Sequence, residues 1–572
     1  MKRRSFIQKL SLAAVPFTIG GIPIKLMGEN SLTRMAEQST NDRVLIIMQM
    51  HGGNDGLNAL IPVEAYDLYY KRRANIAIPA KNSLRKMITL DSTLAAEAQI
   101  GLHPDMVGMK DLYDRGRMCI VQGVSYKNNN GSHFRGRDIS FMGGSFDDYF
   151  SSGWVGRYLE QEFAPKHYPA DFPNAEMKDP LAIEMGSDVS LIFHQEGNIP
   201  TSISINDPES FAKLVNDLEG FTDTGIDPRG KPPVALNDSP YGKELNWILG
   251  LEQKSEDYAE RLYEVYKAAP ETAATYPEKY PFNAPAGSLN NGLTPQLKLI
   301  AKLLDGGGPG LGVKTKVFLV KIGGFDTHAD QVESYDPTMG GHAALMYHIS
   351  SAMKAFQDDL RLRGLEDRVL TVTTSEFGRR VHSNGSYGTD HGTGGPVFIF
   401  GKGAHPGVVG NVPDLTKDNV EMQFDYRQVY ANILKDWMLV DETKINNDIF
   451  FKNFLNGPKE EGAGNYEPLP LADQIISGVQ ENFISSRFAL NDCYPNPAKG
   501  TVTFAFKINS TVNVELNLLN TQGKQLKNVL NEQKEAGEHS VKADVSELAA
   551  GTYLYQIKAG LLNETKKLIV TR

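Results

Sequence analysis

Five short clusters between residues 51 and 392 hold the side chains best suited to chemistry. They are His51-Gly52-Gly53-Asn54-Asp55-Gly56-Leu57-Asn58, Gly131-Ser132-His133-Phe134, Gly323-Gly324-Phe325-Asp326-Thr327-His328, Ser375-Glu376-Phe377-Gly378-Arg379 and Thr389-Asp390-His391-Gly392. Carboxylates and imidazoles are the ligands of a hard or borderline divalent cation, and a serine near them is a candidate nucleophile. A bound cation lowers the pKa of a hydroxyl and balances charge that develops on a phosphoryl or sulfuryl oxygen. A glycine in each cluster lets backbone approach closely. Taken alone, Asp326-x-His328, Ser132-His133 or Asp390-His391 reads as well as a loop hydrogen-bond pair or a turn. Their common position beside strands is what points to one site.

The strands are short, continuous apolar runs at 44–48, 118–124, 316–322, 368–373 and 397–400, the pattern of strands buried on both faces. Between two of them Leu345, Ile349, Met353, Phe356 and Leu360 recur at helical spacing, one apolar stripe laid against a sheet. Strands alternating with helices predict an α/β domain with a mostly parallel sheet, here over 43–480. Ligands of such sheets bind outside the carboxyl ends of the strands. Four clusters are therefore expected at one sheet edge, and the fifth just precedes the last strand. Residues 195–295 are richer in Pro, Asn, Asp and Gly and read as an insertion carrying a helix at 241–267. No G-x-S-x-G elbow occurs, and the glycine run at 306–310 lacks the Lys-Ser/Thr of a phosphate loop.

The two ends differ from this middle. Lys2, Arg3 and Arg4 precede an apolar stretch at 10–24, a signal within residues 1–30 that is too short for a membrane span. Arg3-Arg4-Ser5-Phe6-Ile7 resembles a twin-arginine signal; a general secretory signal with two arginines is the alternative. After Asn491 short strands are expected at 501–508, 512–519, 540–544, 552–557 and 567–570, a small β-sandwich over 490–572. With 572 residues, two or three domains are expected. A net charge of -10 without a basic cluster argues against a nucleic-acid partner. The only cysteines, Cys119 and Cys493, form no disulfide framework. No later segment suits a transmembrane span.

Two resemblances follow from these residues. Tyr494-Pro495-Asn496-Pro497, Val514-Glu515-Leu516 with Asn520-Thr521-Gln522-Gly523, Gly551-Thr552-Tyr553 and Lys567-Leu568-Ile569-Val570 resemble the type A sorting domain of the type IX secretion system. That resemblance implies the type IX machinery as partner, passage through the periplasm, and a place at the cell surface or outside the cell. The stretch from about 43 to 445 resembles the family called domain of unknown function 1501, through the Asp55, Ser132, Asp326, Glu376 and His391 motifs with Gln331. The family is related in fold to the alkaline phosphatase and sulfatase superfamily. The wider resemblance implies Asp55, Asp326, His328, Glu376 and His391 as metal ligands and Ser132 in the place of the nucleophile. Phe377 stands where a histidine ligand of a second metal would be.

The expectation is an exported hydrolase of phosphate or sulfate esters. One or two divalent ions (zinc, calcium or magnesium) assist it. Ser132 attacks, or orients the substrate for attack by water, beside His133. Arg379 pairs with the anionic ester through its planar fork. The alternative is a non-catalytic surface protein that kept the fold, lost the metals and binds a glycan or a protein.

Overall fold

The computed structural model describes residues 41–210, 257–460, 462–473, 489–508, 511–559 and 562–572, and a strand pair at Thr18–Ile19 and Ile22–Pro23. The rest of the expected signal, and the expected helix up to residue 256, lie outside the described residues.

The first long strand, β1 (Val44–Met50), is buried at all seven positions. Successive side chains of a strand point to opposite faces. Val44, Ile46, Met48 and Met50 enter one apolar cluster and Leu45 and Ile47 another. A strand that must satisfy two cores has no room for polar alternation, which is why its sequence is continuously apolar from Val44 to Met48. Each such side chain contributes about 1.5–3 kcal/mol by burial.

Around β1 lie β2 (Met118–Ser125), β3 (Ala182–Met185), β4 (Ser202–Ile205), β5 (Val317–Ile322), β6 (Val369–Thr374), β7 (Gly395–Phe400), β8 (Gly407–Val409) and β9 (Phe424–Asp425). The sheet runs β4-β3-β5-β1-β6-β7-β2-β8, with β9 also paired to β2. Every pairing is parallel except those of β7, which is antiparallel to both β6 and β2. The domain is thus α/β with a mostly parallel sheet flanked by helices, as expected. The short strands β3, β4, β8 and β9 and the reversal at β7 were not anticipated.

Helices cover both faces. Among them are α1 (Val107–Asp114), α2 (His133–Met142), α3 (Trp154–Phe163), α4 (Leu293–Asp305), α5 (Gly341–Leu362) and α6 (Tyr426–Asp436). The stripe Leu345, Ile349, Met353, Phe356 and Leu360 of α5 packs with α1 and α4 against the Val44/Ile46 face. Trp154, Val155 and Tyr158 of α3 pack with Val429, Tyr430 and Ile433 of α6 against the Leu45/Ile47 face. Helix α5 stops at Gly364, whose φ of 69° is the left-handed turn that ends helices and that glycine adopts without steric cost.

The tail holds β10 (Ala489–Leu490), β11 (Thr501–Ile508), β12 (Val512–Leu519), β13 (Gln525–Lys534), β14 (Gly537–Asp544), β15 (Gly551–Ala559) and β16 (Leu562–Val570). They form two antiparallel sheets, β10-β11-β14 and β13-β12-β15-β16. Alternate residues Val502, Phe504 and Phe506 of β11 and Val514, Leu516 and Leu518 of β12 build its core. The sequence reading passed over β13, a polar, mostly exposed strand with no alternation to detect. Cys119 and Cys493 are both buried and free. Among the described residues no helix is long and apolar enough to cross a membrane.

Candidate metal centre

The parallel strands carry their carboxyl ends to one edge. There β1 delivers His51 and Gly52, β5 delivers Asp326, and β6 delivers Glu376. After β2 the chain turns into α2, whose first residue is His133 and whose N-cap is Ser132. Because β7 runs backwards, the residues before it, not after it, reach the same edge. That reversal brings in His391.

His133, Asp326 and His391 converge there, with one ligand atom from each within 4.8 Å of the others. His133 Nε2 lies 3.5 Å from Asp326 Oδ2, and His391 Nε2 lies 3.4 Å from Asp326 Oδ1. The second nitrogen of each ring is held from behind. His133 Nδ1 is 2.8 Å from Glu376 Oε1, and His391 Nδ1 is 2.7 Å from the Gly131 carbonyl oxygen. Both acceptors call for a proton on Nδ1, so both Nε2 atoms carry a lone pair toward the carboxylate. His133 Nε2 is buried without a hydrogen-bond partner.

The electrostatics agree with that reading. Partial burial raises the Asp326 pKa, but the hydrogen bond and the charge of Arg379 outweigh it and hold the carboxyl well below the usual range. Burial, then the Arg379 charge, pushes the His391 imidazole down, which favours the neutral ring that a metal binds. Two imidazole nitrogens and one carboxylate suit a borderline cation such as zinc better than calcium or magnesium, which take oxygen ligands.

The other expected site residues stand differently. His328 Nδ1 lies 2.8 Å from Asp326 Oδ1 and its half-exposed ring is 4.4 Å from that of His391, so it borders the group. Glu376 is buried behind His133, and its Oε1 also accepts from Gly52 N at 2.8 Å. It holds the His133 ring from there. Asp55 belongs elsewhere. Arg73 Nη1 meets its Oδ2 at 2.7 Å with both side chains fully buried, and Gln331 Nε2 donates to the same oxygen at 2.6 Å. Burial would raise Asp55, but the Arg73 charge and hydrogen bond bring it net below the ordinary carboxylate value. Its charge is already compensated.

Arg379 also departs from expectation. Its side chain has no exposed surface. It donates to the carbonyl oxygens of Gly53 and Thr389 at 2.8 Å, of Phe325 at 3.0 Å and of Gly52, and to Asp326 Oδ1 at 2.8 Å. It ties the loops of the site together from within. Ser132 Oγ accepts from Arg135 N at 3.4 Å as the cap of α2. Phe377 packs its buried ring 4.8 Å from His133 and 4.4 Å from His391, an apolar wall behind both imidazoles. The sequence reading assigned no part to this wall or to the Gly131 carbonyl; backbone acceptors and apolar walls carry no motif of their own.

Residues 310–449 match a family model described as a protein of unknown function (DUF1501). Residues 492–571 match one described as a secretion system C-terminal sorting domain. No curated protein matches the chain. Among solved structures, dimeric latent PorU from Porphyromonas gingivalis is 21% identical over 15% of this chain and 9% of that one, with a TM-score of 0.13. PsFucS1 sulfatase from Pseudoalteromonas sp. is 10% identical over 92% of this chain and 90% of that one, with a TM-score of 0.32. A Bacteroides thetaiotaomicron structure titled for the metabolism of multiple glycosaminoglycans is also 10% identical, over 85% and 89%, with a TM-score of 0.28. At these scores the likenesses say nothing of the chemistry. The DUF1501 match contains Asp326, Glu376 and His391 and begins after His133. The sorting tail indicates export to the cell surface or the extracellular space. The chain carries a DUF1501 region and a type IX secretion sorting domain.

Proposed function

We propose that this exported protein is a metal-dependent hydrolase of phosphate or sulfate esters, built around one divalent ion at His133, Asp326 and His391. The observation that carries the reading is the paired orientation of the two histidines. Each gives Nδ1 to a fixed acceptor and turns Nε2 to the same carboxylate. Without a cation, a buried imidazole nitrogen with no partner is a plain cost. A divalent ion would supply Lewis-acid stabilisation of the charge that grows on the ester oxygens.

The chain's own groups do the rest. Asp326 offers Oδ2, since Arg379 and His328 already hold Oδ1. Ser132, one residue before His133, is the nucleophile or orients the ester. Its Oγ accepts the Arg135 N–H, so its own proton remains available to leave. The N-terminus of α2 favours negative charge beside Ser132. With Arg379 buried, the anion is met by that helix end and by the cation.

The test is the metal content of purified protein, followed by hydrolysis of a panel of phosphate and sulfate monoesters. Bound zinc or a neighbouring transition metal, with turnover abolished by chelation and restored by metal, supports the proposal. Protein that takes up no metal sinks it. Protein that takes up no metal and cleaves no ester supports the second reading, a non-catalytic surface protein that lost the metals. The burial of Arg379 favours that reading.

A further inference from the structure

Glu376 uses one oxygen and leaves the other idle. Oε1 accepts from Gly52 N and from His133, while Oε2 is buried with no partner. The hydroxyl of Tyr126, at the end of β2, is likewise buried with no partner. Both residues line a cavity of about 40 Å3, together with Ser125, Asn129, Ser140 and Ser375. Gly136 of α2 keeps the space narrow. A Cβ there would come within 2.8 Å of the Glu376 carbonyl oxygen, 3.1 Å of its Cβ and 3.4 Å of the Tyr126 hydroxyl. Glu376 and Tyr126 are therefore close neighbours across a small polar space.

A carboxyl oxygen buried with no hydrogen-bond partner is costly. A cavity needs only some 10–15 Å3 to admit a water, provided polar partners surround it. This one is large enough and offers an acceptor, a hydroxyl and nearby serines. We infer that a buried water joins Glu376 Oε2 to the Tyr126 hydroxyl, and that the chain Tyr126–water–Glu376–His133 is the positioning element that aims His133 Nε2 at the cation. The inference rests on the metal reading above and adds to it how one ligand is fixed from behind. Outer partners of this kind typically change metal affinity 10–100-fold when altered.

The experiment compares wild type, Glu376→Gln and Tyr126→Phe. Zn2+ affinity is read by chelator competition, the visible spectrum of bound Co2+ reports ligand geometry, and thermal melting reports the fold. Gln keeps an acceptor for His133 and Gly52 and removes the charge. Its Zn2+ dissociation constant should rise 10–100-fold, with a shifted Co2+ band and an unchanged melting point. Tyr126→Phe should raise the constant several-fold in the same direction. A high-resolution crystal structure of the wild type should show the water between the two side chains. Wild-type affinity and an unchanged Co2+ band in both variants would overturn the inference, as would an empty cavity. If Glu376→Gln fails to fold, Tyr126→Phe and the cavity decide. A wild type that binds no Zn2+ overturns the metal reading instead, while the crystallographic water still decides the Tyr126–Glu376 link.

Discussion

Arg379 Nη2 lies 2.8 Å from Asp326 Oδ1, and the same guanidinium bonds the carbonyls of Gly52, Gly53, Phe325 and Thr389. One side chain thus binds the loops after β1 and β5 and the loop before β7 to the end of β6. It orients the Asp326 carboxylate in the process. A lysine is a point charge without the planar fork. Arg379→Lys should leave buried carbonyl oxygens unsatisfied at about 1–3 kcal/mol each. A loss on the order of 3 kcal/mol or more is expected in denaturant unfolding, with Zn2+ affinity falling alongside. A variant as stable as wild type would show that the loops hold together without it.

The Asp55–Arg73 pair predicts a different outcome. Removing one partner of a fully buried pair strands the other charge and costs about 3–5 kcal/mol. Asp55→Ala should therefore melt far lower than wild type. Any protein that remains folded should keep Zn2+ affinity, because the cation is assigned to His133, Asp326 and His391. Loss of Zn2+ in a folded Asp55 variant would return Asp55 to the ligand set.

Two buried histidines set a pH dependence. Burial pushes His342 down to about 4 and His103 well below its ordinary value. Nδ1 of His103 accepts from Asp105 N at 3.2 Å, which requires an unprotonated nitrogen. For both rings the unfolded chain binds a proton more readily than the folded one. Their stabilisation is complete above about pH 6.5 and is lost as pH falls toward 4. For His342 the loss is on the order of 3 kcal/mol. Unfolding free energy should fall steadily from pH 7 to pH 4, and His342→Gln should flatten that slope. A slope unaltered by the substitution would remove His342 from this account.

The residues explain how far the sequence could be read. Strand β1 announced itself because it faces two cores, and the α5 stripe because it faces one. The convergence of the clusters after β1, β5 and β6 followed from parallel strands alone. The arrival of His391 depends on β7 running backwards, and an apolar run has no direction written in it. Asp55 looked like a ligand because its cation, Arg73, lies 18 residues on in a stretch with no motif. Glu376 and Asp326 both lie in loops that follow strands, and only the folded arrangement shows that one stands behind a histidine and the other in front.

The loop at 383–390 provides the last prediction. Gly388 sits against the backbone that carries Asp326 and His328. A Cβ there would lie 2.4 Å from the His328 carbonyl oxygen and 2.5 Å from that of Thr327. These are backbone atoms and cannot swing aside as a flexible side chain would. The same loop grips that segment by hydrogen bonds. Asn384 Nδ2 donates to the His328 carbonyl at 2.8 Å, and Thr389 N donates to that of Thr327 at 3.1 Å. Gly388→Ala must push the two segments apart and disturb the carboxylate next to them. Overpacking of this kind costs about 1–3 kcal/mol, and Zn2+ affinity should fall at least tenfold because Asp326 moves off the two Nε2 atoms. Gly385→Ala, three residues earlier in the same loop, meets nothing within 4 Å and should match wild type in both measurements. Equal behaviour of the two variants in melting and chelator competition would show that the loop is not what holds Asp326 in place.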